Sequence, residues 1–285
     1  MQLAQASKTE LPQDQNECDS APQLLSRREG TVLWLTLNRP NQRNPLSSDM
    51  IAALTDALTQ AADDPLVRVI VLSALGPVFS AGHDLREMRA REGEDQAARA
   101  ARIRDILNAC AHMMLSIVHS PKAVIACVQG TASAAGCQLV SACDMAITSE
   151  AAKFCTPGVN IGTFCTTPLV GVGRSMHRKH AMELALTGDL LPAEDALRIG
   201  LVNKVVPSAE LVDEVSALAA KIASKSARAI RDGKEVFYRQ IDMPLEQAFE
   251  FATDAMVDQI MSGESEEGCQ AFLEKRTPQW GDAGP

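Results

Sequence analysis

β-Branched and apolar residues alternate over residues 31–38 (TVLWLTLN), a strand pattern, and the run stops in the breaker RPNQRNPLS. Apolar positions then recur at helical spacing over residues 47–62, with Ser47 or Ser48 placed to cap the first turn. VRVIVLSAL (67–75) and AVIACVQG (123–130) are continuous apolar runs of strand length closed by Gly76-Pro77 and Gly130, a pattern that predicts strands buried on both faces. Between them FSAGHDL turns the chain, and residues 87–118 carry one or two long helices. TASAAGCQLVSACD predicts a tight turn opening a helix, because Gly136 and the small residues around it let backbones pack closely. MAITSE and AKFCTPG predict short strands, NIGTFCTTPLVGVG a loop, residues 179–187 and 193–199 helices, and LVNKVV a last strand. Past about residue 208 only helical periodicity remains. The organisation expected is a flexible tail over residues 1–25, an α/β core over 26–207 and an all-helical segment over 208–285.

Composition narrows the function classes. With 285 residues, 46% of them hydrophobic, the chain is long enough to bury a substantial core. The 27 basic and 36 acidic residues leave a net charge of −9, so no global positive field exists to hold nucleic acid or an anionic membrane. The eight cysteines form no CxxC pair and sit among apolar or small residues, the pattern of buried free thiols rather than a disulfide framework or a metal site. Residues 1–25 lack both an apolar core and the Arg-rich, acid-poor character of a transit peptide, which leads to the expectation of a cytoplasmic protein.

Two segments carry candidate chemistry. FSAGHDL (79–85) and GTASAAGCQL (130–139) each place Gly and Ala where a buried strand ends, the point at which open α/β sheets deliver backbone N–H groups into a crevice. Small residues at either one alone serve tight turns equally well. The pair together, about fifty residues apart, favours an oxyanion hole made of two main-chain N–H groups.

LNRPNQRNPLS, GPVFSAGHDL, KAVIACVQGTASAAGCQLVSACDMAI, KFCTPGVNIG, ALTGDLLPAEDALRIGLVNKVVP and AFLEKRTPQW, in this order, closely resemble the enoyl-CoA hydratase/isomerase (crotonase) family over residues 31–280. The resemblance implies a spiral of ββα units with a C-terminal helical segment that assembles trimers, often paired into hexamers. It implies an acyl-CoA thioester as partner, with coenzyme A entering as part of the substrate and no separate cofactor or metal. By motif position the carbonyl would be polarised by the N–H groups of His83 and Ala135. A main-chain donor leaves the side chain at position 83 free to vary, so the His83 ring is expected to pack beside the acyl group or hydrogen-bond locally. Arg43, Arg86 and Lys275 fall where family members often meet CoA, Lys275 from a neighbouring subunit.

The departures matter as much. The family's two hydratase glutamates correspond here to Gln138 and Gly158, and a third position used for a carboxylate by some relatives falls near Phe164. An amide exchanges no proton at neutral pH and glycine offers no side chain, so each loss removes a factor of about 10² to 10⁴ from proton-transfer chemistry. Hydratase turnover is expected to be weak or absent, while glutamates restored at both positions should recover it. Substitutes for the lost groups are sought among His83, His112, Cys155, Asn160, Thr163 and Cys165, with Asp84 and Asp144 expected to be structural. The competing readings are a non-catalytic acyl-CoA-binding protein and a serine hydrolase using Ser133. His177 and His180 lack a liganding partner and read as a solvated helix start.

Overall fold

Runs 67–75 and 123–130 lie side by side at the centre of one sheet in the computed structural model, which describes residues 22–281. The chain opens with β1 (Leu24–Glu29), β2 (Val32–Leu37), β3 (Pro45–Leu46) and α1 (Ser48–Asp63). It continues through β4 (Val69–Ala74), β5 (Val78–Ser80), β6 (Gly82–His83), α2 (Leu85–Met88) and α3 (Gln96–Val118). Then come β7 (Ala123–Val128), β8 (Thr131–Ser133), α4 (Ala135–Ala142), β9 (Met145–Ser149), β10 (Lys153–Cys155), α5 (Pro168–Val172) and α6 (Arg178–Thr187). The last elements are β11 (Leu191–Pro192), α7 (Ala193–Arg198), β12 (Lys204–Val206), α8 (Leu211–Ala223), α9 (Ala227–Gln240), α10 (Leu245–Ile260) and α11 (Gly263–Leu273).

Successive strand pairs explain the architecture. β4, β7 and β9 enter a six-stranded sheet of order β1-β2-β4-β7-β9-β12, while their followers β5, β8 and β10 enter a four-stranded sheet of order β11-β10-β8-β5. Each pair thus climbs both sheets by one parallel strand, which is the ββα spiral. The large sheet separates two cores. Leu35, Ile70, Leu72, Val124 and Ala126 meet α1, α3 and α4 on one face, and Trp34, Val69, Val71, Ile125 and Cys127 meet Leu211, Val215 and Ala219 of α8 on the other. Period-2 alternation within largely apolar strands is what lets one sheet fill two cores.

Several details differ from the expectations. β1 lies in the stretch where no strand was expected, starting inside the supposed tail, and pairs antiparallel with β2 from Leu24↔Leu37 to Glu29↔Val32. LLSRRE has no alternation to betray it, because it is an edge strand mostly open to water. The NIGTFCTTPLVGVG loop contains α5, started by Pro168 and packed on α4 so tightly that a Cβ at Gly171 would lie 2.5 Å from Ser141 Oγ. Residues 87–118 divide into α2 and α3, and Asp95 caps the second by accepting from Ala98 N–H (2.7 Å). The connection is stapled by Arg102, which donates to Glu94 (2.6 Å) and to the Arg89 carbonyl (3.0 Å). Among the described cysteines Cys110, Cys127, Cys137, Cys143, Cys155 and Cys165 are buried free thiols, whereas Cys269 is exposed; Cys18 lies outside the described residues. No helix among the described residues is long and apolar enough to cross a membrane.

Candidate active site

The first loop of the candidate site is built by Asn44, a residue the sequence presents only as part of a breaker. Asn44 is fully buried with φ +48°, a left-handed conformation that asparagine tolerates. Its Nδ2 donates to the carbonyls of Leu75 and Val78 (2.8 Å each), and its Oδ1 accepts from Arg39 N–H (2.8 Å). The next strand, β3, pairs with β6 at Pro45↔Gly82 and Leu46↔His83, and Ala81 N–H donates to the Arg43 carbonyl (2.9 Å). Asn44 therefore holds the frame on which the Gly82–His83 step is hung. Replacing it with Ala strands two carbonyls inside the fold and is expected to cost about 2–4 kcal/mol in urea unfolding, a loss under about 1 kcal/mol contradicting that role.

The second loop turns at Ala134, whose φ of +50° and ψ of −117° are strained for a residue with a Cβ. Two main-chain bonds hold it there: Ala134 N–H donates to Cys155 O (2.9 Å), and its own carbonyl accepts from Gln138 N–H (3.0 Å). The turn starts α4 at Ala135 with no side-chain cap, so the first N–H groups of the helix lack intrahelical acceptors. The two loops touch. A Cβ placed on Gly82 would lie 3.1 Å from Ala135 N and 2.9 Å from Ser133 O, and one on Gly136 would lie 2.4 Å from Ser80 O. Glycine is required at both contacts, and at Gly82 also by φ +87°.

Gln138 follows one helical turn after Ala135, buried, with Cγ against Gly171 and an Oε1 that has no hydrogen-bond partner. Gly158 is the second residue of a short turn (Pro157–Ile161) after β10, and the space beside it is taken. A Cβ there would stand 2.9 Å from Cys165 N and 3.0 Å from Cys165 Sγ, while Gly158 N–H donates to that sulfur (3.3 Å). This geometry runs against the expectation that glutamates at 138 and 158 restore a hydratase site, because Phe164 and Cys165 fill the space beside the second position. Thr156 was not anticipated: fully buried, its Oγ1 lacks a partner.

The remaining candidates separate cleanly. His83 is half-buried, its Nε2 is buried without a partner, and burial lowers its pKa against a smaller upward pull from Glu87. Asp84 caps α2 and accepts from Arg86 N–H (2.9 Å) and Nε (3.1 Å). Asp144 accepts from Val124 N–H (2.7 Å), Lys234 Nζ (2.8 Å) and Tyr238 OH (2.9 Å), the structural role expected of it. Burial pushes the thiols of Cys155 and Cys165 up, with hydrogen bonds from Ser133 and from Gly158 N–H acting against it. Ser133 thus pairs with a thiol and not with an imidazole. Phe164 is partly exposed, and His112 lies on the exposed side of α3. Arg86 reaches Gln42 Oε1 (3.1 Å), so it shares one surface with the loop that carries Arg43. Lys275, with φ +54°, follows the C-cap residue Glu274 just past the end of α11.

Comparison with known proteins places this geometry. The family model for enoyl-CoA hydratase/isomerase matches residues 27–283. The chain is 42% identical over 263 residues to the human protein called enoyl-CoA hydratase domain-containing protein 3, mitochondrial, covering 92% of this chain and 85% of that one. The crystal structure of human enoyl Coenzyme A hydratase domain-containing protein 3 superposes with a TM-score of 0.86 at 40% identity, covering 91% of this chain and all (100%) of that one. The crystal structure of an enoyl-CoA hydratase from Mycobacterium smegmatis gives 0.87 at 44% identity, with 91% and 99% covered. The mitochondrial label on the human protein, shared by its Rattus norvegicus and Danio rerio counterparts, overturns the cytoplasmic expectation. That expectation rested on the composition of 25 N-terminal residues, a weak signal beside relatives matched over most of the chain. With the spiral of strand pairs, the two abutting loops and relatives matched nearly end to end, the chain belongs to the enoyl-CoA hydratase/isomerase family.

Proposed function

We propose that the protein binds an acyl-CoA thioester and polarises its carbonyl between the N–H groups of His83 and Ala135. The observation that carries this reading is the contact of Gly82 with Ala135 N at an uncapped helix start, since it brings the two loops within reach of one oxygen. Fixed donors in a shielded site meet developing negative charge without reorganising, and loss of one such donor costs about 10² to 10³ in rate. Arg43 and Arg86 meet the CoA phosphates, and Lys275 reaches those of a neighbouring subunit. Coenzyme A is part of the substrate and no further cofactor is required. Water addition is weak or absent, because Gln138 transfers no proton and Gly158 has been closed off.

The C-terminal segment assembles the protein into a trimer or a dimer of trimers. Leu245, Phe249, Met256 and Phe272 support this, because each is more than half exposed on α10 or α11 and an apolar surface of that kind is a contact surface. The mitochondrial relatives favour the same compartment for this chain. Titration calorimetry with butyryl-CoA and a crotonyl-CoA hydration assay test the reading together, with light scattering on the same sample. Thioester binding with hydration near the buffer rate and a trimeric or hexameric mass are expected; a folded protein that binds no CoA thioester overturns the reading. The sealed Gly158 favours one alternative, a binding protein without turnover, and it predicts that no acyl-CoA is transformed at all.

A further inference from the structure

Acyl-CoA binding leaves open which group moves a proton, and the residues around the two loops answer by elimination. Asp84 is committed to Arg86, and Glu87 accepts from Ser48 N–H (2.9 Å) and Ser48 Oγ (2.6 Å). Asp144 is held by Lys234 and Tyr238. Gln138 exchanges no proton, Gly158 has no side chain, and burial keeps the Cys155 and Cys165 thiols protonated at neutral pH. His83 remains. Its Nε2 is buried and unpartnered, an unfavourable state for a polar ring atom. Its main chain supplies one of the two proposed oxyanion donors, so the ring hangs from the residue that grips the carbonyl. Burial also keeps the imidazole neutral, with a lone pair available.

We propose that the His83 imidazole is the acid–base group of this site, acting through Nε2 on the α-carbon of the bound acyl group. The proposal rests on the acyl-CoA reading above. Nε2 takes the α-proton; the C–H electron pair forms the enolate C=C bond, and the carbonyl π pair moves onto the oxygen held by His83 and Ala135 N–H. The imidazolium then returns its proton to the α-carbon, or to the γ-carbon when the acyl chain has a β,γ double bond, restoring the carbonyl. One group serves both directions, so atoms and electrons balance without a co-reactant. Glu87 is the charge that acts on the ring, Asp84 and Arg86 beside it are paired with each other, and the facing residues Pro45, Leu46 and Ala135 are uncharged.

NMR of 3-hexenoyl-CoA in D2O, following exchange of the α-protons, is the test. Wild type is expected to exchange them, His83→Gln to do so about 10²-fold more slowly or less, and His180→Gln, on an exposed helix, to match wild type. Calorimetry should find butyryl-CoA affinity unchanged within about threefold in His83→Gln, separating chemistry from binding. Should that variant fail to fold, the wild-type profile decides: burial lowers the His83 pKa, so exchange must fall through a single protonation as the pH drops below the ordinary imidazole range, because the imidazolium cannot accept a proton. A flat profile, or exchange undiminished in His83→Gln, overturns the proposal. Wild type that binds butyryl-CoA but exchanges nothing overturns it while leaving the binding reading intact, and wild type that binds nothing overturns both.

Discussion

Asp144→Ala is expected to destabilise the protein by about 3–5 kcal/mol, the range seen when one partner of a buried ion pair is removed. Lys234 Nζ donates to Asp144 Oδ2 (2.8 Å) and to the carbonyls of Ile117 and Lys122 (3.0 Å each), so all three of its hydrogens are placed. Only 8% of its side chain and 18% of that of Asp144 are exposed, too little water to replace the lost carboxylate. Burial already lowers the Lys234 pKa, and Asp144 is the largest influence opposing that shift. Without it the ammonium faces two carbonyl dipoles, and the Tyr238 hydroxyl and Val124 N–H lose their acceptor as well. The node joins α9 to the start of β9, just past α4, so its loss loosens the C-terminal helices from the body that carries Ala135. Replacing both partners with apolar residues, as in Asp144→Leu with Lys234→Met, should recover much of the loss, because the cost lies in the unpaired charge. Urea unfolding measures both variants, and a single mutant within about 1 kcal/mol of wild type would show the pair to be idle.

Gln138→Glu combined with Gly158→Glu is expected to yield no hydratase. Counting acids alone predicts a gain of about 10² to 10⁴ for each glutamate restored. The neighbours of Gly158 forbid it, for a Cβ would meet the Cys165 backbone at 2.9 Å and the Phe164 carbonyl carbon at 3.0 Å, and neither moves without the segment that leads into α5. Overpacking of this kind costs about 1–3 kcal/mol, and more against backbone than against a flexible side chain. Gln138→Glu alone keeps the side-chain volume but buries a carboxyl group without a partner, which stays protonated beside Gly171; the double variant should melt several degrees lower than this single one and hydrate crotonyl-CoA no faster. Thermal scans with the hydration assay decide it, and a double variant that folds and hydrates would mean that the 162–167 segment opens readily.

Much of the fold was legible because burial on both faces leaves an unmistakable trace. A run such as AVIACV, of strand length and closed by Gly130, points to the centre of a covered sheet, and Ser47 caps α1 as its position suggests, accepting from Met50 N–H (3.3 Å). β1 and α5 escaped notice for opposite reasons. An edge strand facing water needs no apolar alternation, and a helix of five residues carrying two glycines at or beside its end is made by packing on α4 rather than by propensity.

The candidate site divides in the same way. Small residues at 82 and 134–136, with Gln138 and Gly158, are matters of composition, so the sequence alone determined the family, the position of the two small-residue loops and the absence of a carboxylate at 138 and 158. Whether Gly158 leaves an empty slot or a filled one, whether Asn44 is a turn residue or the post that holds the first loop, and whether the His83 nitrogen has a partner were decided only by the tertiary structure. The physical reason is that these are facts about which atoms from distant parts of the chain share one volume. Residues 158 and 165, or 44 and 78, meet through the spiral of the sheet, and no local pattern records that meeting.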